Sequence, residues 1–246
     1  MNDKNRKNNH MKKLIPMLLL WSSALAALAQ GVVVVPNGFG NVEGNSSTSD
    51  PFTSSSFRLQ MVIDASQFAI PAGASGRVDG IAFRVDGAST GGALYSFGGC
   101  SVTLSTTPVG ADGLSAVFAD NVGANPVTMY SGAGSFGSLY NPGQNPQFFG
   151  QTIPPLSAFW YNPQQGNLLL DIRGGGGLVL FPGSLDAQAA LGDSVSRVFA
   201  NSSSATSGSA DTLGLVTRFN FTVVPEPSIW ALLGFGSTVL WLWRRR

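Results

Sequence analysis

Between residues 30 and 224 apolar and polar positions alternate in short runs, and no stretch keeps a long apolar pattern at helical period. The clearest run is 215–223. Leu215, Thr217, Phe219, Phe221 and Val223 fall on one side, and Val216, Arg218, Asn220 and Thr222 on the other, as in a strand with one buried face. Ile81, Phe83 and Val85 alternate in the same way with Gly80, Ala82 and Arg84, and Val102 and Leu104 do so between Ser101, Thr103 and Ser105. Further strands are predicted over 32–35, 57–63, 127–130, 148–153, 178–181 and 195–199. Phe159, Trp160 and Tyr161 run into Asn162, Pro163, Gln164, Gln165 and Gly166, so a hairpin is predicted with 167–173 as its return strand. Short helical turns are expected at 64–68 and 186–191, where Asp64 and Asp186 are good N-caps, while 114–119 reads equally as strand or turn. The Ser-rich stretches 45–56 and 201–211 read as loops, and Gly174 to Gly177 as a flexible connection or wide turn. The sum is an all-β chain of roughly nine or ten strands, a single β-sandwich with the jelly roll as candidate topology. No internal repeat or linker divides it.

The two ends follow different rules. Lys4, Arg6, Lys7, Lys12 and Lys13 form a basic start, residues 14–28 an apolar run interrupted by Pro16, and Ala27 and Ala29 flank Leu28 in a small-x-small site. Residues 1–29 therefore read as a signal peptide cut after Ala29 by signal peptidase, with a retained anchor as the alternative. At the other end Val224, Pro225, Glu226, Pro227 and Ser228 precede an apolar run from Ile229 to Trp243 and then Arg244, Arg245 and Arg246. Each proline fixes φ and restrains its predecessor, so this segment is expected to be extended and exposed, as the groove of a processing enzyme requires. Fifteen apolar residues make a helix of about 22 Å, short of the ~30 Å hydrocarbon core and thus a marginal transmembrane span. Trp230, Trp241 and Trp243 lie near its ends, and the three arginines favour a cytoplasmic C-terminus. Gly234 and Gly236 weaken the helix further. An ordinary tail anchor is the alternative. Both basic clusters then lie in the cytoplasm and the body, 30–223, outside.

Val224 to Ser228, the short apolar segment and the closing arginines together resemble the C-terminal signal of the PEP-CTERM group of exported bacterial proteins. The resemblance implies that residues 224–246 are held in the inner membrane, that an exosortase cuts near Pro225, Glu226 and Pro227, and that the body goes to the cell surface or extracellular matrix. Glu226 is then part of a recognised motif and not a catalytic residue. The same tail pattern also carries an ice-binding label, but the body shows no regular array of threonines of the kind an ice surface needs. Segments 44–47, 80–84, 118–121, 166–173 and 193–197 resemble uncharacterised members of the group, which supplies no activity.

Charge and composition narrow the chemistry. Residues 30–224 hold six arginines against eleven carboxylates and no lysine, a net of about −5, a poor match to nucleic acid. His10, the only histidine, lies in the leader. A Ser-His-Asp triad, a Cys-His pair, a Ser-Lys dyad and a His-ligated metal are therefore unavailable to the body. Cys100 cannot form an intrachain disulfide and reads as a small buried residue. An Asp-dependent glycoside hydrolase is the remaining enzymatic reading, although Glu43 is the only glutamate before Glu226. No cofactor is expected. The aspartates read first as turn caps, with structural calcium on Asp79, Asp86, Asp112, Asp120 and Asp193 as the alternative. Trp160, the body's only tryptophan, cannot share a strand face with both Phe159 and Tyr161, so it is either core or a platform for polysaccharide. The expectation is an exported, non-enzymatic surface, matrix or biofilm protein, with a secreted carbohydrate-binding module as the rival.

Overall fold

The computed structural model describes residues 29–71, 74–150, 153 and 157–225. The strands are β1 (Ala29–Val35), β2 (Ser46–Thr48), β3 (Ser56–Ile63), β4 (Ala74–Phe83), β5 (Ala93–Thr107) and β6 (Ala124–Ser138). They continue with β7 (Phe159–Tyr161), β8 (Asn167–Pro182), β9 (Leu185–Ala189), β10 (Val195–Ala200), β11 (Ser209–Asp211), β12 (Leu213–Leu215) and β13 (Thr217–Pro225). All their pairings are antiparallel.

One sheet has the order β1-β13-β4-β7, a second β11-β10-β3-β8-β5-β6, and a small third β12-β9-β2. If β1, β3, β4, β5, β6, β7, β8 and β13 are counted as first to eighth, the two large sheets read first-eighth-third-sixth and second-seventh-fourth-fifth. That is the order of a jelly roll, with β10 and β11 added beyond β3. The sandwich core lies between the sheets: Phe83 on β4 is 6.2 Å from Phe136 on β6, and Phe68 packs on Tyr161 and Phe219. On the expected inner face of 215–223, Leu215, Thr217, Phe219 and Phe221 are buried, and Arg218 and Asn220 lie outward; Val216 and Thr222 of the expected polar face are buried too, and the run is divided between β12 and β13.

Several expectations need correction, among them the Ser-rich stretches 45–56 and 201–211, which contain β2 and β11. Residues 162–166 do turn, with Asn162 accepting from the Gln164 amide and Tyr161 Oη donating to the Gly166 carbonyl. The turn joins no hairpin, however, because β7 pairs with β4 and β8 with β3 and β5. It carries the chain from one sheet to the other. Gly174 to Gly177 lie inside β8, and at Gly174 and Gly177 the rings of Phe57 and Phe97 on the neighbouring strands of the same sheet take the side-chain space: a Cβ on Gly174 would stand 2.3 Å from Phe57. Residues 186–191 are not a helical turn, since β9 is stitched between β2 and β12. Phe149 and Ile153 make only single bridges, to Arg84 and Ile81, and no strand forms over 148–153 among the described residues. The 64–68 turn is a 3-10 turn, Ala65–Gln67, without a side-chain cap from Asp64. No helix among the described residues is long and apolar enough to cross a membrane.

Glycine has a packing role at position 76, where an added Cβ would fall 1.7 Å from the Phe221 ring, whereas Gly175 has nothing within 4 Å. Gly76→Ala should therefore cost about 1–3 kcal/mol by overpacking, lowering the melting temperature by about 2–4 °C per kcal/mol in a chain of this size. Gly175→Ala should leave it unchanged. Thermal melts of the two variants check the pair.

Candidate functional site

The sequence points first to the C-terminal motif, and the fold shows where that motif is attached. In β1 and β13 Ala29 pairs with Val223, and on the other side of β13 Pro225 pairs with Ala74. The start of the first strand and the end of the last are thus neighbours at one corner of the four-stranded sheet. Val224 is extended as expected but half-buried, because it still pairs with Ser75. Ala27, Glu226, Pro227, Ser228, Arg244, Arg245 and Arg246 lie outside the described residues, as do the apolar segment and most of the leader.

Trp160 is 54% exposed, while Phe159 and Tyr161 are buried at 1% and 0%. The edge strand β7 therefore turns its two flanking aromatics into the core and its indole onto the outer face of the four-stranded sheet. Arg77 is its cross-strand partner, and Thr222 lies beyond Arg77 in the same row. Arg77 Nη2 donates to Asp79 Oδ2 at 2.8 Å. The β4–β13 register shifts between Asn220 and Phe221, so Asp79 sits in a bulge, a device that re-aims a side chain.

The expected aspartates do not gather at one site, although Asp112 lies near enough to Asp193 for its charge to add to the burial that raises the Asp193 carboxyl. Asp79 pairs with Arg77, Asp112 accepts from the Gly192 amide, Asp120 from Ser115 Oγ, and Asp193 from the amides of Ala190 and Val195. Asp86 alone joins a cluster, with Glu43 and Asp186, whose carboxylate oxygens lie within 4.8 Å of one another. Asp186 is fully buried. Its Oδ2 accepts from Arg84 Nε at 2.8 Å and its Oδ1 from the Gly44 amide at 2.9 Å. Position 44 needs glycine because a Cβ would stand 2.0 Å from the Ala187 carbonyl oxygen. Arg84, 1% exposed, also donates from Nη2 to the Val42 carbonyl and lies over the Phe149 ring at 5.1 Å. Glu43 accepts from the amides of Gly87 and Gln147. Three clustered carboxylates against one guanidinium form an oxygen set of the kind a hard cation takes. Sequence reading missed Glu43, Asp186 and Arg84. Strand alternation put Arg84 on a polar face, whereas β9 covers that end of β4 through the Val85–Leu185 bridge.

Burial pushes the Asp186 carboxyl up to about 6, with nearby Glu43 adding to the shift and Arg84 opposing it; Asp86 is raised too, again first by burial. Burial likewise pushes the Cys100 thiol up to about 12, fitting an inert core residue. A separate groove of about 320 Å³ on the outer face of the six-stranded sheet is lined by Ser101, Thr103, Thr128, Asp171 and Arg173 among others. Its Asp171 is held from below by Arg58 and Gln60.

Among known protein families, the PEP-CTERM protein-sorting motif matches residues 223–246. No curated protein and no solved structure matches the chain. A motif of this kind implies an exported protein, anchored transiently in the membrane and processed by an exosortase.

The carboxylate cluster has a pH signature. The folded chain takes up the Asp186 proton more readily than the unfolded chain, so its contribution is greatest below 3.8 and is lost as pH rises to about 6. Glu43→Gln removes the neighbouring charge that raises both Asp86 and Asp186. Melting temperatures should show wild type falling relative to Glu43→Gln between pH 4 and 6. A constant offset between the two proteins would contradict this.

Proposed function

From a chain whose residues 223–246 carry a PEP-CTERM sorting motif, we propose an exported, non-enzymatic protein of the cell surface or extracellular matrix. Its signal peptide, 1–29, is removed by signal peptidase, and its jelly-roll body is released from the inner membrane by exosortase cleavage near Pro225, Glu226 and Pro227. The observation that carries this reading is the adjacency of the two chain ends, Ala29 beside Val223 and Pro225 beside Ala74. Both targeting segments join one corner of a fold whose first and last strands are zipped together. Only Glu226, Pro227 and Ser228 separate β13 from the apolar run, about 10 Å of extended chain. The body is held against the bilayer until the cut and leaves as a closed unit afterwards.

A non-enzymatic body is supported by its carboxylates. Retaining and inverting glycosidases set theirs about 5–5.5 Å or 6.5–9.5 Å apart, flanking the sugar. Here Glu43, Asp86 and Asp186 have their oxygens within 4.8 Å of one another, and Asp186 is sealed under Arg84 and the 40–44 loop. No sugar oxygen can reach it.

The 54% exposure of Trp160 favours a second reading, that the released body binds polysaccharide through this face. The main reading is tested by intact mass and fractionation in the native host. Wild type should lose both termini and appear at the surface or in the matrix, while Glu226→Ala stays in the inner membrane with its tail intact. An uncut tail in both proteins would overturn it.

A further inference from the structure

The carbohydrate reading leaves the class of sugar open, and the surroundings of Trp160 narrow it. We propose that the Trp160–Arg77–Asp79 face binds a neutral polysaccharide, with the indole stacking on the flat face of a pyranose and the ion pair hydrogen-bonding its hydroxyls. This rests on the second reading above.

Three features of the face select that ligand. An outward indole on a rigid strand offers apolar area with little ordering cost, which suits the C–H face of a sugar ring. Arg77, whose side chain is 43% exposed, directs Nη2 to Asp79, while its Nε is buried without a partner and out of a ligand's reach. The other terminal nitrogen, Nη1, makes no hydrogen bond among the described residues, so the guanidinium beside the indole keeps a donor there. The Asp79 carboxylate, 18% exposed and bonded to Arg77 through Oδ2, keeps acceptor capacity at Oδ1. A fixed donor–acceptor pair next to an aromatic plane is complementary to vicinal hydroxyls above an apolar ring face.

Charge decides between neutral and anionic polymers. The positive charge of Arg77 is already matched by Asp79 at 2.8 Å, and the body carries a net charge of about −5. A uronate chain would meet no uncompensated cation within the Trp160–Arg77–Asp79 patch itself and a repulsive field around it. Shape supports a polymer over a free monosaccharide. The grooves lined by Ser101 and Asp171 and by Leu94 and Phe148 do not include Trp160, which stands on an open strand surface.

The test is native affinity electrophoresis of the full chain in mild non-ionic detergent. The gels contain hydroxyethylcellulose or galactomannan as neutral polymers, or polygalacturonate as the anionic one. The neutral gels should retard wild type. Trp160→Ala should bind at least about tenfold more weakly, a loss of roughly 1.4 kcal/mol, while Trp160→Phe retains most of the affinity and Asp79→Asn weakens it several-fold. Unchanged thermal melts will show that these exposed substitutions leave the fold intact. Retardation by polygalacturonate alone, lost in Trp160→Ala, would overturn the neutral assignment while the Trp160 platform stands. Absence of retardation in every gel, or equal retardation of wild type and Trp160→Ala, would overturn both.

Discussion

The pairing of β13 between β1 and β4 is the constraint on which the rest of the molecule depends. β13 supplies Phe219 and Phe221 to the core and runs to Pro225, the first proline of the sorting motif. On one side it holds the first strand, residue for residue from Ala29–Val223 to Val35–Thr217. On the other it pairs with all of β4 through one bulge, from Thr217–Phe83 to Pro225–Ala74. The last strand of the jelly roll is therefore central in its sheet, and the sandwich cannot close until the C-terminal end of the body is in place. A chain sorted by its tail and folded around the strand next to it couples the two events physically.

The buried cations are all arginines. Arg58, Arg84 and Arg197 are each nearly buried, each pairs with an aspartate (Asp171, Asp186 and Asp211), and each lies against an aromatic ring (Phe118, Phe149 and Phe199). A planar guanidinium can fork onto a carboxylate and stack at the same time, which an ammonium cannot. These pins fasten segments outside the two main sheets. Arg84 holds the 40–44 loop, Arg197 donates to the Asp50 carbonyl, and Arg58 sits under the helical turn Phe118–Asn121. For the two pairs buried on both sides, Arg58–Asp171 and Arg84–Asp186, removing one partner typically costs about 3–5 kcal/mol, because the other charge stays buried. In a body without lysine, arginine is the side chain that fixes the loops.

Much of the fold was legible in the sequence, and the failures have physical causes. Period-two alternation located β13, β4 and β5, because each has one face in the core, and it placed Trp160 opposite Phe159 and Tyr161. Local chemistry cannot show which strand a turn delivers its chain to, so 162–166 resembled a hairpin although it crosses between sheets. The glycines of β8 look like a linker until the Phe57 and Phe97 rings that occupy their side-chain space are known. Asp186 resembled a cap because its partner, Arg84, is 102 positions away. The carboxylate cluster was invisible for the same reason, since Glu43, Asp86 and Asp186 meet only through β9.

The proposed function is divided between a handling device written in the linear sequence and a surface that exists only after folding. The tail is readable without a structure, whereas the Trp160 face depends on β7 lying at the edge of the sheet closed by β13. The most direct test of that dependence is native-state hydrogen exchange read by mass spectrometry. The account predicts that amides over 32–35 and 218–223 exchange as slowly as those of β3 and β8, through the same cooperative opening. Fast exchange of both segments, with β3 and β8 still protected, would contradict a fold closed by its first and last strands.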